Sequence, residues 1–134
     1  MIEGGCNCGK IRYSSEAKPI AVAQCHCRNC QRQSGSAFSV NLLFPAATLL
    51  VSGEPAAYED TDTESGNAVV RKFCSTCGSP LFSETRSNPA LIIVKAGTLD
   101  NPGAFKPGIS VWTDSQMPWV ELPAGQTTFP RNAG

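Results

Sequence analysis

An all-β fold is predicted by two observations along this chain. Short runs of β-branched and aromatic residues recur between segments rich in Gly, Pro, Ser, Asp and Asn, and no window sustains a helical period. A third observation says where such a fold is held together. All seven cysteines fall into three tight clusters, Cys6-Asn7-Cys8, Cys25-His26-Cys27-Arg28-Asn29-Cys30 and Cys74-Ser75-Thr76-Cys77.

The strand candidates follow in order. Lys10–Tyr13 alternates polar with apolar residues, as a half-buried strand does. Ala21–Gln24 leads into the cysteine triplet and Ala37–Phe44 leaves it, both with strand composition. Pro45–Thr48 can form a single helical turn. Leu49–Ser52, Ala68–Phe73, Leu81–Glu84 and Leu91–Ala96 complete the set. Arg28–Gln33, ahead of Gly35, can make one short turn of helix. Residues 1–123 read as a single domain and 124–134 as a flexible tail.

At 134 residues and 41% hydrophobic content, one domain can bury a core without staples. The formal net charge is zero, from 11 basic and 11 acidic residues, and no run of lysine or arginine occurs. Nucleic-acid and membrane-surface binding therefore have no electrostatic footprint. No stretch is long and apolar enough to span a bilayer. Met1-Ile2-Glu3-Gly4-Gly5 lacks the charged start and apolar run of a secretory signal, so the expected setting is cytoplasmic. That setting, the odd cysteine count and spacings of one or two residues argue against a disulfide framework.

The cysteines divide unevenly, and the unevenness points to function. Two pairs supply four thiolates, the closed tetrahedral set of a structural zinc, whereas a triplet supplies three and leaves a fourth position free. Joining Cys6 and Cys8 to Cys74 and Cys77 through one metal ties distant parts of the chain together. Such a site can contribute on the order of 10 kcal/mol or more toward folding. Gly9 and Gly78, each directly after a pair, suit tight loops that need positive φ.

Cys25, Cys27 and Cys30 admit several readings. One is a second structural zinc completed by His26, the only histidine; alternation in an extended segment points His26 away from Cys25 and Cys27. Another is three buried small hydrophobes, which the flanking Arg28, Asn29, Gln31, Arg32 and Gln33 do not suit. An iron–sulfur cluster normally has four ligands at other spacings. The reading that suits the polar surroundings best is an open zinc with an exchangeable fourth ligand, more labile than the first. Three thiolates on a divalent ion leave a net negative site, a weak Lewis acid that still holds an incoming thiol deprotonated. A thiol substrate follows. Held there, it can attack an aldehyde carbonyl to give a thiohemiacetal; alternatively the carbonyl is polarised and a free thiolate attacks.

The segments Gly4–Tyr13, Cys25–Gly35 and Arg71–Phe82 closely resemble the glutathione-dependent formaldehyde-activating enzyme family, which also contains centromere protein V. Val94–Asp100 and the stretch from Trp112 to Trp119 resemble its carboxy-terminal signature. The resemblance implies a zinc-pinned β-sandwich of the tent-like type, with Cys6, Cys8, Cys74 and Cys77 on the structural zinc and Cys25, Cys27 and Cys30 on the catalytic one. It further implies a carbon–sulfur lyase that condenses formaldehyde with glutathione to S-hydroxymethylglutathione. Relatives commonly carry a histidine shortly before the aromatic that resembles Trp112; here Ser110 stands nearest that position.

Two other functions compete. One is a non-catalytic zinc–thiolate module that binds a small thiol or a protein partner. The other is a reductase of the methionine sulfoxide type, which needs a free nucleophilic cysteine. For the two carboxylates of glutathione, Arg28 and Arg32 are the nearby donors in sequence, with Arg32 the candidate contact and Arg28 read as solvated surface. Trp112 and Trp119 could wall a pocket, although aromatics near strands are more often core. Tyr13 and Phe73 read as packing, and Ser34-Gly35-Ser36 as a loop whose amides could meet a ligand. Oligomeric state has no signal in the sequence.

Overall fold

Turn-forming residues cut the chain into short strands, and the computed structural model, which describes residues 1–133, arranges them in two sheets. In chain order the elements are β1 (Ile2–Gly5), β2 (Arg12–Ser15), β3 (Ala21–Cys25), α1 (Arg28–Ser34), β4 (Ser39–Pro45), β5 (Leu49–Ser52) and β6 (Ala56–Asp60). There follow β7 (Val69–Phe73), β8 (Pro80–Thr85), β9 (Leu91–Lys95), β10 (Ile109–Val111) and β11 (Thr127–Thr128). The small sheet runs β1-β2-β5 and the large one β11-β10-β3-β4-β9-β8-β7-β6. Pairing is antiparallel except where β10 lies parallel to β3 and β11. No helix among the described residues is long and apolar enough to cross a membrane.

Alternation along the strands puts the core between the sheets. Leu42 of β4 lies opposite Val94 of β9, Phe44 opposite Ile92, and Val94 in turn opposite Phe82 of β8. All five are buried, and Ile11, just ahead of β2, and Tyr13 of β2 belong to the same core cluster. The Tyr13 and Phe82 rings pack edge to face at 5.3 Å, while the Tyr13 hydroxyl hydrogen-bonds Thr98 Oγ1 at 2.7 Å. The other face of the large sheet carries Ser39, Asn41, Ser83, Arg71 and Lys95, which is polar and bears on the site described below.

The strands read from composition are present, shifted by a residue or two at their ends, and Ala46–Thr48 forms the expected single turn as a 3₁₀ helix. β1, β6, β10 and β11 had no local signal. Ile2-Glu3-Gly4-Gly5 is glycine-rich, Ala56–Asp60 ends in two acids, and the last two strands are three and two residues long. Their partners' open edges make them strands, a tertiary effect that propensity does not carry. The stretch expected as a tail contains β11. Phe129 N–H donates to Ser110 O at 2.9 Å, and Trp112 N–H donates to Arg131 O at 3.0 Å. The last residue of that stretch lies outside the described residues.

β1 runs so close to its neighbours that Gly4 has no room for a Cβ, which would collide with the Tyr13 hydroxyl and Thr98 O. Gly4→Ala is therefore expected to destabilise the domain by about 1–3 kcal/mol. Urea unfolding would read this as a lower midpoint, whereas an unchanged midpoint would show that β1 can move aside.

Candidate metal centres

Two similar loops build the four-cysteine set. After β1, Cys6 N–H donates to Ile11 O at 3.0 Å, Gly9 N–H to Cys6 O at 3.1 Å, and Ile11 N–H to Cys6 Sγ at 3.3 Å. After β7, Cys74 N–H donates to Ser79 O at 3.0 Å and Gly78 N–H to Cys74 O at 2.8 Å. Gly9 and Gly78 close these loops at φ 81° and 79°, the left-handed region. The loops also touch each other: Asn7 N–H donates to Ser79 Oγ at 2.9 Å and Lys10 Nζ to Thr76 Oγ1 at 3.3 Å. The small sheet is thus fastened to the large one at this point.

Cys6 Sγ lies 3.6 Å from Cys8 Sγ, and Cys8 Sγ 3.7 Å from Cys74 Sγ, with all four sulfurs within 4.8 Å of one another. A tetrahedral ion with metal–sulfur bonds of about 2.3 Å would separate its sulfurs by about 3.8 Å. The set therefore fits a tetrahedral metal. The Ser79 hydroxyl, 3.2 Å from Cys77 Sγ, and the Ser79 backbone bring the Cys77 thiol down to about 5.

The triplet forms where β3 gives way to α1. Cys25 ends β3, and Cys27 caps α1, its Sγ accepting the Cys30 N–H at 3.2 Å. The three Sγ atoms converge within 4.8 Å, all buried. Contact with the Cys25 and Cys27 thiols holds Cys30 far below the ordinary thiol range, against the effect of burial and with help from the Lys95 and Arg71 charges. The same contacts, with burial, push Cys25 up.

The walls of the triplet come from distant segments. Trp112 packs on it, with its backbone in the left-handed region at φ 59°, unusual for a non-glycine residue. The stretch after β11 holds Trp112 there: its indole N–H donates to Asn132 Oδ1 at 2.9 Å, and the Arg131 guanidinium lies 5.6 Å over its ring. Gln31 Nε2 donates to His26 O at 2.7 Å and to Ser115 O at 3.0 Å, fastening α1 to the turn after β10. Glu64 accepts the Arg28 N–H at 2.9 Å and the Ser115 hydroxyl at 2.8 Å.

His26 does not join the sulfur group. It is fully buried, with Nε2 at 3.4 Å from Ser110 Oγ and its ring against Phe38. Ser110 in turn donates to Gln126 Oε1 at 2.6 Å, so Ser110 lies behind His26 in a polar network.

A cleft of about 650 Å³ opens between α1 and the β6–β8 end of the large sheet, lined by Asn29, Arg32, Tyr58, Asp60, Arg71 and Phe73 among others. Arg32 stands on its wall. Arg28 hydrogen-bonds Gln31 Oε1 and lies on another hollow, beside the 73% exposed Trp119. The amides of Gly35 and Ser36 are turned back onto Arg32 O and Gln31 O, closing α1. Arg71, Asp60 and Lys95 escaped the sequence reading. The available signal was a lone cation, Lys95, inside the apolar run Leu91–Ala96, and the adjacent cations Arg71 and Lys72 inside Ala68–Phe73.

Fold and site together define an all-β domain built around two groups of cysteines able to hold metal ions. The chain belongs to the glutathione-dependent formaldehyde-activating enzyme family, whose model matches residues 1–115. A Halomonas elongata protein that carries the provisional name of glutathione-dependent formaldehyde-activating enzyme is 28% identical over 130 residues, covering 91% of this chain and 81% of its own. The crystal structure of a Rhodobacter sphaeroides protein shares the fold, with a TM-score of 0.60 at 20% identity, covering 95% of this chain and 98% of that one.

Proposed function

We propose that this protein is a zinc-dependent carbon–sulfur lyase of the cytoplasm that joins glutathione, or a similar small thiol, to formaldehyde or a related aldehyde. The observation that carries the reading is the convergence of three buried thiols with no fourth protein ligand among the described residues. Family membership supports the substrate pair. In this reading Cys6, Cys8, Cys74 and Cys77 hold a structural zinc, and Cys25, Cys27 and Cys30 hold a catalytic one. Zinc bound by the triplet would supply a position where a thiol is held as its thiolate at neutral pH.

The remaining work falls to the chain. As the carbon–sulfur bond forms, the carbonyl π pair moves to oxygen, which takes up the proton that the thiol gave up. Arg32, on the cleft wall, offers a planar donor pair for a glutathione carboxylate. Arg71 is held by Asp60 at 3.2 Å and gives the cleft floor a fixed cation. Trp112, packed over the sulfurs, excludes water from one side.

The reaction is fast enough unassisted that the test should be made at equilibrium. NMR exchange between formaldehyde and its glutathione adduct is expected to accelerate with the zinc-loaded protein and to fall to the unassisted rate with Cys27→Ser. Equal exchange with and without the fully loaded protein would reject the lyase reading in favour of a binding module.

A further inference from the structure

Lys95 is buried to 6% exposure, yet among the described residues no carboxylate pairs with it. Its Nζ donates to Ser39 Oγ at 2.9 Å and to Asn41 Oδ1 at 3.2 Å, both neutral acceptors. A buried cation left with neutral partners is unfavourable unless opposite charge lies close by. The strand register shows where such charge lies. Ser39 stands directly opposite Cys25 across β3 and β4, and Asn41 directly opposite Lys95 across β4 and β9. Side chains two apart on a strand share a face, so Cys25, Ser39, Asn41 and Lys95 all project from the same side of the sheet. The other buried cation on that face, Arg71, is already matched by Asp60.

We infer that Lys95 is the counter-cation of the metal-loaded triplet, offsetting the single negative charge that three thiolates leave on a divalent ion. The inference rests on the reading of Cys25, Cys27 and Cys30 as metal ligands. The charge count is the argument: the thiolates contribute three negative charges, the ion two positive, and Lys95 the third. Burial, with the nearby Arg71 charge, draws the Lys95 pKa below its ordinary value, and thiolate charge at Cys30, Cys25 and Cys27 acts against that fall. A site made neutral in this way accepts an anionic fourth ligand at the cost of one net negative charge rather than two. Lys95 thereby favours a thiolate substrate without touching it, which makes it a positioning residue and not a catalytic one.

The four-cysteine set in the same molecule serves as the internal control. Lys95→Met keeps the length and packing of the side chain, and Ser39 Oγ still donates to Asn41 Oδ1 at 2.6 Å, so no polar group is orphaned. Chelator competition on the zinc-loaded protein is expected to show the triplet affinity weakened about 10–100-fold in Lys95→Met, with the other site unchanged and Lys95→Arg close to the parent. Should the methionine variant fail to fold, Lys95→Gln removes the same charge while keeping a donor, and it carries the same expectation. Triplet affinity equal to the parent, or equal weakening at both sites, would overturn the inference. A parent that takes up only one zinc would instead overturn the metal reading beneath it.

Discussion

Stripping the metal from Cys6, Cys8, Cys74 and Cys77 is expected to unfold this domain. A complete thiolate set contributes on the order of 10 kcal/mol toward folding, and domains of this size have about 5–15 kcal/mol in total. The location makes the loss global. Cys6 and Cys8 lie on the loop after β1, and Cys74 and Cys77 on the loop between β7 and β8, so a metal held by these four would join the small sheet to the large one. Between the loops themselves, Asn7 N–H to Ser79 Oγ and Lys10 Nζ to Thr76 Oγ1 are weak, exposed substitutes. Cys74→Ser should act in the same direction, since Cys74 is the most buried of the four and belongs to the same core cluster as Leu81 and Phe82. Thermal unfolding followed by circular dichroism, with and without a strong chelator, checks this. A chelated protein that melts at the parent temperature would show that the shared core alone holds the sheets.

Cys30→Ser is expected to have the opposite profile: a folded protein with one zinc in place of two, and no acceleration of thiol–aldehyde exchange. A serine hydroxyl stays protonated near neutral pH and does not replace a thiolate donor. The fold should survive because the Cys30 backbone N–H still donates to Cys27 Sγ and the closing bonds at Gly35 and Ser36 are untouched. α1 is also short and anchored through Gln31 and Asn29 to neighbouring loops. The expected stability change is therefore about 1 kcal/mol, a shift of several degrees in Tm. Elemental analysis together with the exchange rate makes the comparison. Two zinc ions and parental exchange in the variant would remove Cys30 from the site. Set beside the chelation result, the pair of experiments separates a metal that builds the domain from one that works in it.

What could be read in advance depended on how local each feature is. Ala21–Gln24, Leu49–Ser52 and Leu91–Ala96 declare themselves by composition, and the structure forms β3, β5 and β9 there. The alternation that turns His26 away from Cys25 and Cys27 is equally local, and the ring lies against Phe38 and Ser110. β6 and β11 carried no such signal, because a strand at a sheet edge is chosen by its neighbour's unpaired amides as much as by its own side chains. Trp112 read more naturally as core than as site. It is both, because β11 and the residues after it hold its indole over the triplet.

The cysteine clusters and the fold class were legible in the chain itself, because spacings of one or two residues and strand-length apolar runs are properties of neighbouring residues. The tertiary structure alone decided the charge and walls of the site. Lys95, Arg71 with Asp60, and Trp112 arrive from β9, β7 with β6, and the turn after β10, and it is strand register that brings them to the cysteines. Register is settled by packing across the whole sheet, since a one-residue slip would turn each of these side chains to the other face.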